Sequence, residues 1–294
     1  MGRQAVGRDL GLSVRMAVAL VLLALTYAAI VAVVIALFVV FPHAWYYWCV
    51  VALAVGVSLV AHYRVAEGSL LAAVGAELIA DGEQQDIREV VGKLAALADV
   101  PAPRLALADT HVPNALTVGL TRRKAVVVVT PGLLARLTPQ ELEAVLAHEV
   151  AHLANRDAAV MTAVAVPRTL GEVIVGGPGG DDSLGLVWLL IWPLGIFPLG
   201  IGTGLTLTVS RYREFAADRG SALLTGTPEQ LMSALRKLAG HAAEIPHEDL
   251  RAANAFCIVS TQAVRFRFFS DHPPLEKRLA ALEAIAREMG RPVS

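Results

Sequence analysis

The residues of this chain best spaced for chemistry are two histidines and a glutamate in the run His148-Glu149-Val150-Ala151-His152. On a helix, positions four apart lie one turn from each other on the same face, so both imidazoles can aim at one point. That spacing suits two ligands of a tetrahedral zinc ion and leaves the carboxylate between them free to activate water. A third ligand, a helix to carry the pair and a cleft for substrate must then be supplied by the rest of the chain. Two surface histidines on an amphipathic helix are the plain alternative.

The helix follows from its flanks. Thr138-Pro139-Gln140-Glu141 has the form of a capping box with proline at the first helical position. Leu142, Val145, Leu146, Val150 and Leu153 make an apolar stripe at helical spacing, and the end is expected near Asn155-Arg156-Asp157. Downstream, Ser210 through Asp218 follows a long uncharged run, and Glu214 and Asp218 share one face if that segment is helical. The pair suits a site of two histidines and a glutamate. Glu214 is then the third zinc ligand, and Asp218 accepts the second N–H of a ligating histidine, His148 foremost. Ordinary arginine–carboxylate pairs at a solvated helix start are the alternative.

Together these motifs resemble the HtpX-type membrane metalloproteases, relatives of the prenyl-protein (CAAX) endopeptidase. The likeness rests on Pro113-Asn114-Ala115, the H-E-x-x-H with Asn155-Arg156-Asp157 behind it, Ser210-Arg211 through Asp218, and His272-Pro273-Pro274 followed by Arg278. It implies one Zn²⁺ per chain and hydrolysis of peptide bonds in protein substrates, in proteolytic quality control of misfolded membrane proteins under stress. It further implies that His272 donates to the developing oxyanion and that Arg278 supports His272 or the substrate. Leu116 stands where the family usually has an aromatic residue and Asp271 where threonine is common; both departures bear on substrate preference.

Composition fits a membrane protein. Charged residues are 17% and hydrophobic ones 55%, against about 25% charged in an average soluble chain. Met16 to Phe41 is uncharged and long enough to span a bilayer, and Ala44 to Tyr63 is a second such run opening on Trp45-Tyr46-Tyr47-Trp48, an interfacial aromatic belt. Residues 1–64 therefore form a transmembrane hairpin, and 65–294 a zinc metalloprotease domain interrupted by a hydrophobic hairpin at about 158–209. Arg3, Arg8 and Arg15 precede the first span, Arg64 follows the second, and the short link between them has no Lys or Arg. The positive-inside rule then places the amino terminus and the catalytic part in the cytoplasm, with the chain in the inner (plasma) membrane. Because His148 and Glu214 must meet at one ion, the chain between them crosses an even number of times. Two crossings give four spans in all; a re-entrant hairpin gives fewer.

The remaining segments predict a mainly α protein with a small β-sheet, an α+β zincin-like domain. Gln85 to Ala98 is helical in pattern; Arg104 to Ala108 and Ala125 to Thr130 are β-rich; Asn114 to Gly119 is a candidate edge strand. Substrate in such enzymes pairs with an edge strand, which makes Asn114 a substrate-backbone contact, a role the family likeness shares; a turn-forming asparagine after proline is the alternative. Thr227-Pro228 caps a further helix, and Leu275, Leu279, Leu282 and Met289 stripe a last one stopped by Gly290. Cys49 and Cys257 fall in different parts of the chain and are expected to stay unpaired. A formal net charge of −1 gives no case for nucleic acid. Two other functions fit less closely: a narrow-specificity processing protease of the prenyl-protein type, or a non-catalytic membrane scaffold with structural zinc. The scaffold lacks a fourth protein ligand at suitable spacing.

Overall fold

The structure, a computed structural model, describes residues 10–40, 46, 53, 71, 75–80, 82–119, 121–176, 185–242 and 273–291. In chain order they form α1 (Leu10–Val40), β1 (Ala76–Leu78), α2 (Gln85–Leu97), β2 (Arg104–Ala108), β3 (Ala115–Val118), β4 (Val126–Val129), α3 (Pro131–Leu134), α4 (Pro139–Ala154), α5 (Asp157–Gly176), α6 (Gly185–Thr225), α7 (Pro228–Ala242) and α8 (Leu275–Glu288). The architecture is mostly helical with one small mixed sheet. The described residues group into two compact units, one within 67–160 and 210–294, the other within 9–66 and 161–209.

The first unit contains the sheet, in the order β1-β2-β4-β3. β2 and β4 run parallel, with Leu105 opposite Val127, while β1 and β3 are antiparallel to their neighbours. Val126-Val127-Val128-Val129 is fully buried, as a central strand covered on both faces must be, and β-branched side chains suit that position. Alternation sorts the strands. Leu105, Ala115, Val127 and Val129 face the core formed with α2, α4 and α7, whereas Ala106, Ala108, Val118, Val126 and Val128 pack on the other face. Leu116 belongs to that second face, so its departure from the family's aromatic sits on the side of the sheet away from α4. β3 is an edge strand, as its position between the two β-rich runs predicts. β1 has no counterpart among the expected strands, because Ala-Glu-Leu carries no β-branched signal.

The N-terminus of α4 is built as its sequence predicts. The Thr138 hydroxyl accepts from the Glu141 N–H, and the Glu141 carboxylate accepts from the Thr138 N–H at 2.8 Å. The same carboxylate reaches α7, accepting from Ser233 Oγ at 2.6 Å and Lys237 Nζ at 2.7 Å. Burial pushes the Glu141 pKa up, but these donors prevail and hold it down at about 2. One acid thus ties the helix start to the helix packed behind it.

In the second unit the helices approach closely. A Cβ on Gly171 would fall 2.4 Å from the Leu199 backbone nitrogen, and one on Gly202 would fall 2.3 Å from that of Arg168. Tyr27 Oη donates to the Ala163 carbonyl at 2.8 Å. Small residues at helix crossings are the usual means of packing helices in lipid. Within the described residues, Val14–Ala36 and Asp157–Gly176 are long and apolar enough to cross a membrane. The charges that weaken the second of these in sequence, Arg168 and Glu172, pair with each other at 2.8 Å one turn apart. Four spans are thus not established: the expected span at 44–63 lies outside the described residues except for Tyr46 and Leu53, which are helical.

Glu141 makes a definite prediction. Its pKa is depressed in the folded state, so its stabilisation is complete above about pH 4.5 and is lost as pH falls towards 2. Glu141→Gln should lower unfolding stability by about 2–3 kcal/mol at neutral pH, and the deficit should shrink as pH drops through that window in thermal melts.

Candidate metal centre

Three elements bring the site together within the first unit. His148 and His152 come from the last turns of α4, Glu214 and Asp218 from the carboxyl-terminal part of α6, and Arg278 from the first turn of α8. The crossing of α4 and α6 depends on Gly220, where a Cβ would lie 2.5 Å from the Cβ of Ala151. Ala151 sits directly before His152, so the small pair sets how near the carboxylates of α6 can come to the imidazoles. The segment bearing Glu214 is the continuation of a 41-residue helix and not a solvated helix start.

His148 Nε2 and His152 Nε2 are 3.0 Å apart; Glu214 Oε2 is 3.7 Å from the first and Glu214 Oε1 3.6 Å from the second. Donors bound tetrahedrally to one zinc ion stand about 3.4 Å from each other. The carboxylates behind the rings support the same conclusion. His148 Nδ1 lies 3.1 Å from Asp218 Oδ1, and His152 Nδ1 lies 2.5 Å from Asp157 Oδ2. A carboxylate beside each Nδ1 is the usual partner of a histidine that offers Nε2 to a metal. The residues fit zinc.

Behind the donors lies a buried charge network. Arg278 is 1% exposed and holds Asp218 with a two-pronged contact, Nε to Oδ2 at 2.9 Å and Nη2 to Oδ1 at 2.6 Å, while its Nη1 lies 3.3 Å from Glu214 Oε2. Burial raises the Asp218 pKa, but Arg278 and His148 outweigh it and keep the acid ionised. Burial likewise lowers the Arg278 pKa, and the Asp218 and Glu214 carboxylates more than reverse this. Arg278, expected to support His272 or the substrate, is enclosed, and its guanidinium faces the Asp218 and Glu214 carboxylates. Asn114 is also buried, with its N–H donating to Thr130 Oγ1 at 2.9 Å and its carbonyl accepting from Thr130 N–H at 3.1 Å. His272 lies outside the described residues.

Two contributions do not appear among the expected site residues. Asp157, the first residue of α5, turns back to His152 because Arg156 takes a left-handed conformation (φ 58°) between the helices. Arg213 contacts Asp157 and donates to the Asn155 carbonyl at 2.8 Å, and burial lowers its pKa to about 10, which leaves it charged at neutral pH. Arg122 donates to the neighbouring Ala154 carbonyl, so two cations cap the helix end that carries His152. The second is Thr117, whose hydroxyl donates to Glu149 Oε2 at 2.8 Å and lies 3.2 Å from the Glu149 carbonyl. Asp157 stands in Asn-Arg-Asp directly behind the H-E-x-x-H, which is a usable signal. Thr117 is visible only through β alternation combined with the strand's docking on α4.

Residues 81–286 match peptidase family M48. The chain belongs to that family. It is 42% identical to protease HtpX homolog 2 of Methanosarcina acetivorans over 80% of this chain and 84% of that protein. It is 40% identical to the protease HtpX homolog of Moorella thermoacetica over 98% of each. In fold it resembles Ste24p of S. mikatae, with a TM-score of 0.50 at 18% identity, covering 93% of this chain and 66% of that one. Family and donor set agree: the M48 member described here is a zinc metalloendopeptidase with the candidate ligands His148, His152 and Glu214.

Asp157→Ala should lower zinc affinity by about 10–100-fold, as loss of a ligand's hydrogen-bonding partner commonly does. Competition titration against a zinc chelator reads this directly, and unchanged affinity would remove Asp157 from the site.

Proposed function

We propose that this M48 chain is a multi-pass enzyme of the inner membrane that cuts misfolded membrane proteins from the cytoplasmic side. One observation carries the catalytic part: donor atoms of His148, His152 and Glu214 all lie within 4.8 Å of one another, and Glu149, next to His148 in the chain, is not among them. Zinc in such a set polarises water and the scissile carbonyl. Glu149 then takes a proton from the attacking water and delivers it to the leaving amine. Asp218 and Asp157 keep the imidazoles oriented, and Arg278 holds Asp218 and Glu214 against mutual repulsion. β3 offers an edge along which an extended peptide can pair, main chain to main chain, with Asn114 at its start. His272 fits the role of an oxyanion donor through the family pattern alone.

Membrane placement has separate support. α5 begins at Asp157, the residue that holds His152, so the site is joined directly to an apolar helix. The basic residues flank the amino-terminal span on one side, and the shared site of His148 and Glu214 requires an even number of crossings between them. Four spans satisfy both.

Glu149→Gln should retain about one zinc per chain while cleavage of casein in detergent falls about 10²–10⁴-fold. Zinc retained with full cleavage would refute the catalytic assignment. For orientation, a single cysteine at exposed Arg123, with Cys49 and Cys257 replaced, should react with an impermeant maleimide only after the membrane is opened. Labelling of intact spheroplasts would refute the cytoplasmic placement.

A further inference from the structure

We propose that Thr117 is a positioning residue for the catalytic base, holding the Glu149 carboxylate from the edge strand of the sheet. The inference rests on the hydrolytic reading of the site and concerns how its base is aimed. Register fixes the direction of the side chain. Thr117 pairs with Val127, and its neighbour two positions back, Ala115, faces the core shared with α4. Thr117 therefore projects towards α4, where its Oγ1 donates to Glu149 Oε2 at 2.8 Å.

A hydroxyl has one proton to give. The Glu149 backbone carbonyl is also near, at 3.2 Å, but the shorter contact is to the charged group, which is the stronger acceptor. Among the described residues, the hydrogen bond to the Glu149 carboxylate is made at Oε2, which leaves Oε1 to receive the proton from water. Glu149 is 4% exposed, yet an unrestrained glutamate still has three side-chain torsions and no fixed aim. Transition-state contacts demand placement within about 0.5 Å, so a tether at the carboxylate bears on turnover more than on substrate binding. It also links the base to the strand along which substrate is proposed to lie.

Two pairs isolate the hydroxyl: Thr117 against the isosteric Thr117→Val, and Thr117→Ser against Thr117→Ala. In zinc-loaded protein in detergent with a fluorogenic peptide, Thr117→Val and Thr117→Ala should lower kcat by about 10–100-fold. KM and zinc content should stay within about twofold, and Thr117→Ser should keep kcat within about threefold. In metal-free protein, Thr117→Val should lower the melting temperature by about 2–6 °C, and by less than half that in a Glu149→Ala background. If Thr117→Val fails to fold, the Ser/Ala pair decides. The proposal is wrong if hydroxyl-free variants keep kcat within about twofold, if Thr117→Ser falls as far as Thr117→Ala, or if only KM moves. Those results leave the hydrolytic reading intact, whereas a zinc-loaded wild type that cuts nothing overturns both.

Discussion

Two imidazole nitrogens stand 3.0 Å apart while the other nitrogen of each ring lies beside a carboxylate, the arrangement that two histidine ligands of one metal ion require. Much of the protease unit can be understood as maintaining that arrangement. Asp157 and Asp218 stand beside Nδ1 of the two rings, Glu214 closes the third side, and the glycine–alanine contact between α4 and α6 allows the approach. His148 and Glu214 are buried there and His152 is half-buried, so the donors are shielded from water on most sides.

Burying this many charges is costly, and the chain offsets the cost by pairing them closely. Arg278 serves two carboxylates at once, which a lysine's point charge could not do with the same geometry. Arg213 and Arg122 donate to the carbonyls of Asn155 and Ala154 at the end of α4, the turn that carries His152. Such networks are weak sources of stability when intact but expensive to break from one side. Their value here is orientation: the carboxylates behind the donors are fixed by cations that are themselves enclosed.

A water-dependent reaction must also be joined to an apolar environment. Asp157 is at once the partner of a metal ligand and the first residue of a helix apolar enough to cross a bilayer. The Arg168–Glu172 pair shows the same economy within the apolar helix, where two opposite charges one turn apart cancel locally.

Much of this is legible in the chain. The capping box of α4, the H-E-x-x-H on its last turns, the Glu214/Asp218 spacing, the two β-rich runs and the edge strand between them depend on local periodicity and turn chemistry, and each forms where its residues indicate. β1 is not legible in this way, because edge pairing and not strand propensity recruits Ala76–Leu78. Nothing beside Arg278 in the sequence marks its role. Whether an arginine faces substrate or carboxylates depends on what packs over it, and that is set by α8 meeting α6 some sixty residues back in sequence. Thr117 reaches Glu149 only because the strand register and the docking of the sheet on α4 together turn its hydroxyl inward. Residue types and spacing thus determined which groups could bind zinc and act on water. Tertiary packing alone decided which arginine and threonine hold them, because those contacts join segments far apart along the chain.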